Sequence, residues 1–171
     1  FTEPTVEQLE AGPLRWSARV RKQFGRSHLT QHIRTTDADS LITLHNQLDW
    51  AEPFALAKLV IPIPFDPARA RRGIAFGEDR CPTGNLEFTF RDWLLIEPAE
   101  PTTTPLSALA VLAGPGLHGA DIVDRQLRIT LVRSPVYCHQ ELDEPYEPQV
   151  THEHMDLERH HSTIAIWPLQ T

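Results

Sequence analysis

Histidines near the C-terminal end of the chain are the side chains best suited to metal chemistry. Five of the nine histidines lie between residues 139 and 161, and His152 and His154 form an HEH triplet. Alternate residues of a strand face the same way, so HxH on a strand can present two imidazoles to one zinc ion. The neighbouring Glu153 and Asp156 are typical of a solvated loop. The sequence therefore favours exposed histidines, with a metal site at His152 and His154 as the weaker alternative.

A polar loop at residues 77–85, GEDRCPTGN, is a candidate for binding. It connects two predicted strands, and its tip carries Arg80, Thr83 and Asn85. Loops that a rigid sheet positions are where binding groups are usually found. A turn stabilised by its own polar groups explains the same residues equally well, and a structural salt bridge explains Arg80.

Carboxylates at predicted strand ends provide weaker evidence for hydrolysis of a glycosidic bond. That reaction needs two carboxyl groups about 5 to 10 Å apart, but any β-sandwich carries acidic residues in its loops. The six candidates are Asp49, Glu52, Glu78, Asp79, Asp121 and Asp124. The sequence contains no GxSxG, P-loop, GxGxxG or HExxH motif. The residues alone therefore predict a domain without an active site of its own.

The elements that must position these residues are predicted to be strands. Fifteen prolines and eight glycines separate short apolar runs, which favours many short strands over helices. Apolar and polar residues alternate from Leu14 to Arg21, the period of a half-buried strand. The other predicted strands are a hairpin partner at 27–35, a strand at 40–50, an edge strand within 51–65, runs at 71–79 and 85–97, a doubly buried strand at 106–113, one at 126–132, and one at 162–169.

This pattern predicts an all-β fold: one β-sandwich domain of nine or so strands with little helix, spanning residues 1–171. Residues 134–161 are sparse in apolar side chains and predict a long loop. The chain starts at Phe1 without an initiator Met or a signal peptide, from which we expect a fragment of a longer chain.

Composition limits the partners and the compartment. A net charge of −7, with His neutral, argues against a nucleic-acid partner, which requires a basic face. No run of 18 apolar residues occurs, so no membrane span is predicted. The two cysteines, Cys81 and Cys138, do not form a disulfide framework, and we expect a reduced, cytoplasmic protein. Whether these two cysteines pair is left open.

Several segments, taken in order, resemble the C-terminal β-domain of the glycoside hydrolase family 38 α-mannosidases. The resemblance extends from about residue 9 to residue 139, and LRITLVRSPVY with an upstream HG is its most specific part. After RSPVY, the family tends to carry a D.G.H.F segment, where this chain has THEHMDLERHHSTIAI. The matching segments are LEAGPLRWSARV, FGRSHLTQHIR, NQLDWAEP, DRCPTGN, HGADIVDRQLRITLVRSPVYCH and IAIWPL.

The resemblance implies a portion of a mutarotase-like supersandwich from a zinc-dependent retaining α-mannosidase. In such enzymes the catalytic carboxylates and the zinc ligands lie in an N-terminal catalytic domain, so no cofactor is expected in this segment. The implied partners are that catalytic domain and mannose-containing glycans. The resemblance also implies that Arg80 and its loop reach the sugar pocket, and that Arg133 and Tyr137 anchor the loop leaving the strand.

Two other functions fit the sequence less well. A stand-alone carbohydrate-binding module could stack sugars on its tryptophans, but all four lie on predicted strands, where burial in the core is favoured: Trp16, Trp50, Trp93 and Trp167. A mutarotase-like enzyme needs a His and Glu pair, which the sequence does not indicate. A domain separated from its partner should also leave an apolar surface, through which homo-oligomers could form.

Overall fold

The computed structural model describes residues 3–38, 40–82, 86–99, 106–137 and 153–170. These residues form strands and no helix, so none of them could span a membrane as a helix. The strands are β1 (Thr5–Ala11), β2 (Arg15–Phe24), β3 (Ser27–Thr36), β4 (Ile42–Asp49), β5 (Leu56–Pro62), β6 (Pro67–Ile74), β7 (Gly77–Arg80), β8 (Phe88–Thr89), β9 (Trp93–Pro98), β10 (Leu106–Ala113), β11 (Gly119–Val123), β12 (Gln126–Arg133) and β13 (Arg159–Gln170).

Two antiparallel sheets of unequal width form a sandwich. The large sheet has nine strands in the order β1-β2-β3-β4-β13-β10-β9-β6-β7. The small sheet has four, in the order β5-β12-β11-β8. The predicted all-β sandwich is therefore confirmed.

The hydrophobic core lies between the two sheets. Leu44, Val111 and Ile164 enter it from the large sheet, and Leu127 and Ile129 from the small sheet. Four of these five side chains have no exposed surface, and Leu44 keeps 7%. Each completely buried Leu, Ile or Val contributes about 1.5–3 kcal/mol relative to an exposed position. The alternation predicted for residues 126–132 is thus confirmed at Leu127 and Ile129, whereas a β-bulge after Thr130 turns Val132 inward.

The large sheet extends beyond the small one on the side of β1, β2 and β3. Within the large sheet, the buried residues of the main core come from β4, β13, β10 and β9, and none come from β1 or β2. Val6, Leu9 and Leu14 at that end are exposed. The four-stranded sheet therefore leaves part of the inner face of the large sheet uncovered.

The number and limits of the strands differ from the prediction. The described residues contain thirteen strands, because the run at 71–79 belongs to the hairpin β6–β7 and the run at 85–97 contains two strands of different sheets, β8 and β9. β1 was not predicted, and neither was β11, whose sequence indicates a turn. The last strand begins at Arg159, so the predicted loop at 134–161 ends earlier than expected. The edge strand predicted within 51–65 is confirmed as β5.

The face of the large sheet that points away from the core carries an apolar stripe on β9, β10 and β13. Leu112 pairs with Trp93 on one side and with Ala165 on the other. Trp167 lies one register step away and pairs with Ala110. Leu112 and Trp167 are 48% and 42% exposed. We call Trp93, Leu95, Ala110, Leu112, Ala165 and Trp167 the outer apolar stripe.

The indole ring of Trp93 in this stripe packs directly against Gly73 of β6. A Cβ atom at Gly73 would lie 2.7 Å from Trp93 Nε1 and 2.9 Å from its Cδ1. Real Cβ atoms do not approach other atoms so closely, so any side chain at this position must displace the indole ring.

The substitution Gly73→Ala is expected to destabilise the domain by about 1–3 kcal/mol, the usual cost of overpacking. Gly12→Ala is the matched control, since its Cβ would have its nearest neighbour at 3.7 Å; we expect it to remain within about 0.5 kcal/mol of the parent chain. Urea denaturation gives both free energies of unfolding. Equal stability of the two variants would contradict the contact between Trp93 and Gly73.

Candidate functional site

Arg80 is the last residue of β7, at the free edge of the large sheet, where the polar loop begins. It pairs in register with Arg71 of β6. Arg71 is neutralised by Glu78 at 3.1 Å and Glu97 at 3.4 Å, and Arg72 by Asp79 at 2.9 Å. Among the residues that the structure describes, no acidic side chain forms an ion pair with the guanidinium of Arg80. The salt bridge considered for Arg80 is therefore not observed within that part of the chain.

The other two residues predicted for this loop, Thr83 and Asn85, lie outside the described residues. So do His152, His139 and Cys138. Whether the loop brings Arg80, Thr83 and Asn85 together stays a prediction.

His154, the described member of the HEH triplet, makes packing contacts. Its ring meets Phe54 edge-on, with centroids 4.3 Å apart, and its Nδ1 lies 3.3 Å from the carbonyl oxygen of Ser134. Over the described ranges no three His, Cys, Asp or Glu side chains are arranged to hold a metal ion. The described residues therefore give His154 a packing role.

Five of the six acidic candidates at strand ends are engaged: four with cations, and Glu52 with a backbone N–H and a hydroxyl. Asp49 binds Arg159, Glu78 binds Arg71, and Asp79 binds Arg72. Asp121, on the small sheet, binds both Lys58 and Arg128. These carboxylates neutralise neighbouring cations, which is a structural use of charge.

Asp121 is the most deeply placed of these carboxylates, with 3% of its surface exposed. Burial works to raise the pKa of its carboxyl, but hydrogen bonds from Arg128 and Lys58 outweigh burial and hold the pKa below its usual range. Asp121 is therefore ionised near neutral pH, as an ion-pair partner must be and as a general acid must not.

Cys81 is a free thiol buried against β6, where its backbone N–H donates to the carbonyl of Ala70 at 2.8 Å. Burial raises the pKa of the Cys81 thiol to about 11. The thiolate is the reactive form, so Cys81 is a poor nucleophile at neutral pH.

Ser134, in the RSP segment, connects the small sheet to the chain that follows β4. Its hydroxyl is completely buried, accepts a hydrogen bond from Trp50 Nε1 at 3.1 Å and donates one to the carbonyl oxygen of Glu52. The backbone of Phe54 also donates to the carbonyl of Ser134, at 2.9 Å. Two segments that resemble the mannosidase family, RSP and DWAEP, therefore bind each other.

Glu52 extends this connection to the turn between β2 and β3. Its carboxylate accepts the backbone N–H of Arg26 at 2.6 Å and the hydroxyl of Ser27 at 3.1 Å. Gly25 has φ = 59°, and a Cβ there would lie 2.6 Å from the Glu52 carboxylate. Only glycine satisfies both conditions. We call Gly25, Ser27, Trp50, Glu52 and Ser134 the motif lock.

The motif lock revises the roles expected for the strand exit. The side chains of Arg133 and Tyr137, expected as anchors, are exposed, so that expectation is wrong. Ser134 between them is the anchor, and the backbone of Tyr137 donates to the carbonyl of Glu153 at 2.7 Å. The sequence gives no signal for this pairing, because residue 134 and residues 50–52 are far apart in the chain.

The tryptophans divide between core and surface. Trp50 is 5% exposed and belongs to the second apolar cluster with Leu48 and Val132. Trp16 and Trp167 are 38% and 42% exposed. The prediction that all four tryptophans are buried is therefore wrong for Trp16 and Trp167.

Comparison with solved structures finds the same architecture in a larger protein. The structure is similar to that of an alpha-mannosidase from Enterococcus faecalis V583, with a TM-score of 0.66 and 7% sequence identity. The match covers 96% of this chain and 22% of the alpha-mannosidase chain, so the present chain spans about a fifth of that protein. At this identity the likeness shows the fold: a β-sandwich domain of the kind found in an alpha-mannosidase.

The sequence defines the relationship more closely. The model of the glycosyl hydrolases family 38 C-terminal domain matches residues 2–146, and the chain belongs to this family. No curated protein gives a significant match. The family resemblance of the sequence segments is thus confirmed.

The motif lock predicts a measurable coupling between Ser134 and Trp50. Ser134→Ala leaves the buried indole N–H of Trp50 without its acceptor, and we expect a loss of about 1–3 kcal/mol in the free energy of unfolding. In a Trp50→Phe background the same change should cost at least about 1 kcal/mol less, since the donor is already absent. Urea denaturation of the four chains measures the cycle, and additive effects would contradict the lock.

Proposed function

We propose that this domain is the C-terminal β-domain of a zinc-dependent retaining α-mannosidase that hydrolyses terminal α-mannosides. Family membership over residues 2–146 carries the proposal, and the fold match to an alpha-mannosidase supports it. In this assignment the domain stabilises the catalytic part of the same enzyme. The catalytic carboxylates and the zinc ligands belong to that catalytic part.

The outer apolar stripe supports a role in docking to the rest of the enzyme. Stacked aromatic and aliphatic side chains on an open sheet face are typical of a surface that a partner covers. Next to the stripe, on β2 to β4 and β13, the same face turns polar along Arg19, His32, His45 and Thr163. An apolar centre with a polar margin is the usual composition of an interface.

His32 adds no charge to this polar margin. Partial burial, followed by the nearby charges of Arg19 and Arg34, lowers the pKa of His32. The imidazole is therefore neutral at pH 7, and it lies within 3.4 Å of the Arg19 guanidinium. A neutral acceptor beside an arginine suits a surface that becomes buried on docking.

Arg80 supports the proposal that one loop of this domain reaches the sugar pocket. Its guanidinium lies at a sheet edge, is exposed, and is not neutralised by the described residues of its own domain, unlike those of Arg71 and Arg72. A guanidinium offers several N–H donors for sugar hydroxyls or for a carboxylate. We therefore propose Arg80 as the contact from this domain, and Thr83 and Asn85 of the same sequence segment as further candidates.

A stand-alone carbohydrate-binding module is the second candidate, and Trp16 is the observation that favours it. Trp16 borders a shallow depression with Arg15, Thr36 and Asp37. An exposed aromatic ring beside hydrogen-bonding groups is an arrangement that can stack on a sugar ring.

An activity assay and a binding assay separate these two functions. The full-length gene product should hydrolyse a nitrophenyl α-mannoside, whereas the 171-residue chain should give no turnover with or without zinc. Titration of the 171-residue chain with mannose oligomers should show no saturable change in tryptophan fluorescence. Robust turnover by the isolated chain would overturn the proposal, and saturable binding that Trp16→Ala abolishes would favour the binding module.

Kinetics of the full-length enzyme test the role of Arg80. Arg80→Ala should raise KM about tenfold, which corresponds to about 1.4 kcal/mol, with a smaller change in kcat because the contact is made in the ground state too. Arg80→Lys keeps the charge and should recover part of the effect. Arg34→Ala removes an exposed arginine six strands away on the same sheet and is the control. Equal kinetics of the Arg80 and Arg34 variants would exclude Arg80 from the pocket.

A further inference from the structure

An apolar groove runs between the overhanging part of the large sheet and the edge of the small sheet. Its volume is about 400 Å³. Phe24, Leu29, Leu48 and Trp50 form its floor, and residues 55–59 form its opposite wall. Leu29 is only partly buried, although it points towards the core side of the sheet.

The wall formed by residues 55–59 is the backbone edge of β5. Side chains of a strand alternate between its two faces, so five consecutive residues can line one groove only if the groove follows the strand edge. β5 is the terminal strand of the small sheet and pairs with β12 alone among the described strands. The groove therefore follows an edge of the sheet that no described strand covers.

The hydrogen-bonding groups on this edge can be assigned from the register. The N–H of Ile63 donates to Arg125, which lies on the side of β12, at 2.8 Å. Backbone groups of an antiparallel strand alternate between its two edges. The N–H groups of Leu56, Lys58 and Val60 therefore point away from β12, into the edge that borders the groove.

Pro62 at the end of β5 and the exposed side chains of this strand are also consistent with an open edge that can pair. Pro62 occupies the next outward position, where a residue without an N–H is tolerated. Leu56 and Val60 are 44% and 46% exposed. An exposed, apolar strand edge is a pairing surface that natural proteins normally cover or blunt.

We propose that a β-strand from the part of the mannosidase chain outside these 171 residues pairs with β5 and fills the groove. Such a strand supplies both things that this surface lacks: backbone partners for the outward groups of β5, and alternate apolar side chains against Phe24, Leu29 and Leu48. It would add a fifth strand to the small sheet and cover the inner face of β3 and β2.

A sugar does not fit this groove. The polar groups at its rim are committed elsewhere, since Glu52 binds Arg26 and Ser27, and Lys58 binds Asp121. A sugar binding there would leave most of its hydroxyls without partners, at a cost in desolvation. An extended peptide with apolar side chains meets no such cost.

A strand from a second copy of the domain is expected to fill the groove less readily than a strand from the same chain. The matching region is 22% of the related alpha-mannosidase, so most of such an enzyme lies outside it. A segment tethered in the same chain acts at an effective concentration of about millimolar. A second copy must associate from its much lower bulk concentration.

The inference rests on the proposed function only for the source of the strand, and it is tested in the full-length gene product by amide hydrogen exchange of a peptide covering residues 56–62. We expect the amides of Leu56, Lys58 and Val60 to be protected at least about 100-fold, as paired strand amides are. Exchange of these three amides at the rate of free peptides would overturn the proposal.

A pair of variants then tests the edge itself. Val60→Pro removes an outward N–H and should release the protection of Leu56 and Lys58 and lower Tm by several degrees. Val60→Thr keeps the N–H and the β-branch and should leave protection at Leu56 and Lys58 unchanged. Protection of Leu127 and Ile129 in β12 reports whether the sandwich remains folded. Unchanged exchange and Tm in Val60→Pro would contradict strand pairing at this edge.

Two further outcomes show separately whether the strand comes from the same chain and whether the proposed function holds. Protection that falls on tenfold dilution, together with dissociation of a dimer, would replace the same-chain strand by a second copy and overturn the proposal. A protected edge in a gene product without α-mannosidase activity would contradict the proposed function and leave strand pairing supported.

Discussion

The unequal width of the two sheets is the constraint from which the other features of this domain follow. A sheet buries its hydrophobic face only where another layer lies on it. Four strands cannot cover nine, so the core is limited to the region around β4, β13, β10 and β9. Beyond that region, apolar side chains on β1 and β2 remain open to solvent, and on the opposite face of β9, β10 and β13 so does the outer apolar stripe. These exposed apolar surfaces are typical of a domain that packs against other domains, which is consistent with membership of a C-terminal domain family.

The residues of the family motifs hold this sandwich together. The RSP and DWAEP segments contain Ser, Trp and Glu side chains that could suggest catalysis when seen in sequence. In the structure, the hydroxyl of Ser134 accepts from Trp50, and Glu52 binds the turn at Arg26. These bonds connect β12 of the small sheet to β2, β3 and β4 of the large one. They act near the open end of the sandwich, where the small sheet gives least support.

Period-two alternation predicted the fold class well, since it reports which side of a strand faces the core. The strands around Trp16, Leu44 and Ile129 follow from it directly. The alternation in NLEFTFRDWLLIE did not reveal that the chain changes sheets at Arg91, because both pieces have inward apolar residues. The motif lock was equally hidden, since the bonds of Ser134 reach residues 84 and 82 positions away, and those of Glu52 reach residues 26 and 25 positions away. The role of Arg80 stays a prediction from the sequence, and the structure adds that Glu78, Glu97 and Asp79 are paired with Arg71 and Arg72.

The open edge of β5 also bears on how such a protein is made. Ribosomes extend a chain from its N-terminus, and domains fold as they emerge. For a C-terminal domain, the part of the chain that precedes it is already synthesised when β5 emerges. If a strand from that preceding part pairs with β5, as proposed above, the edge meets a tethered partner before it meets another molecule, and Pro62 limits how far any wrong pairing can extend. The order of synthesis thus protects from aggregation a surface that would be hazardous in a free domain.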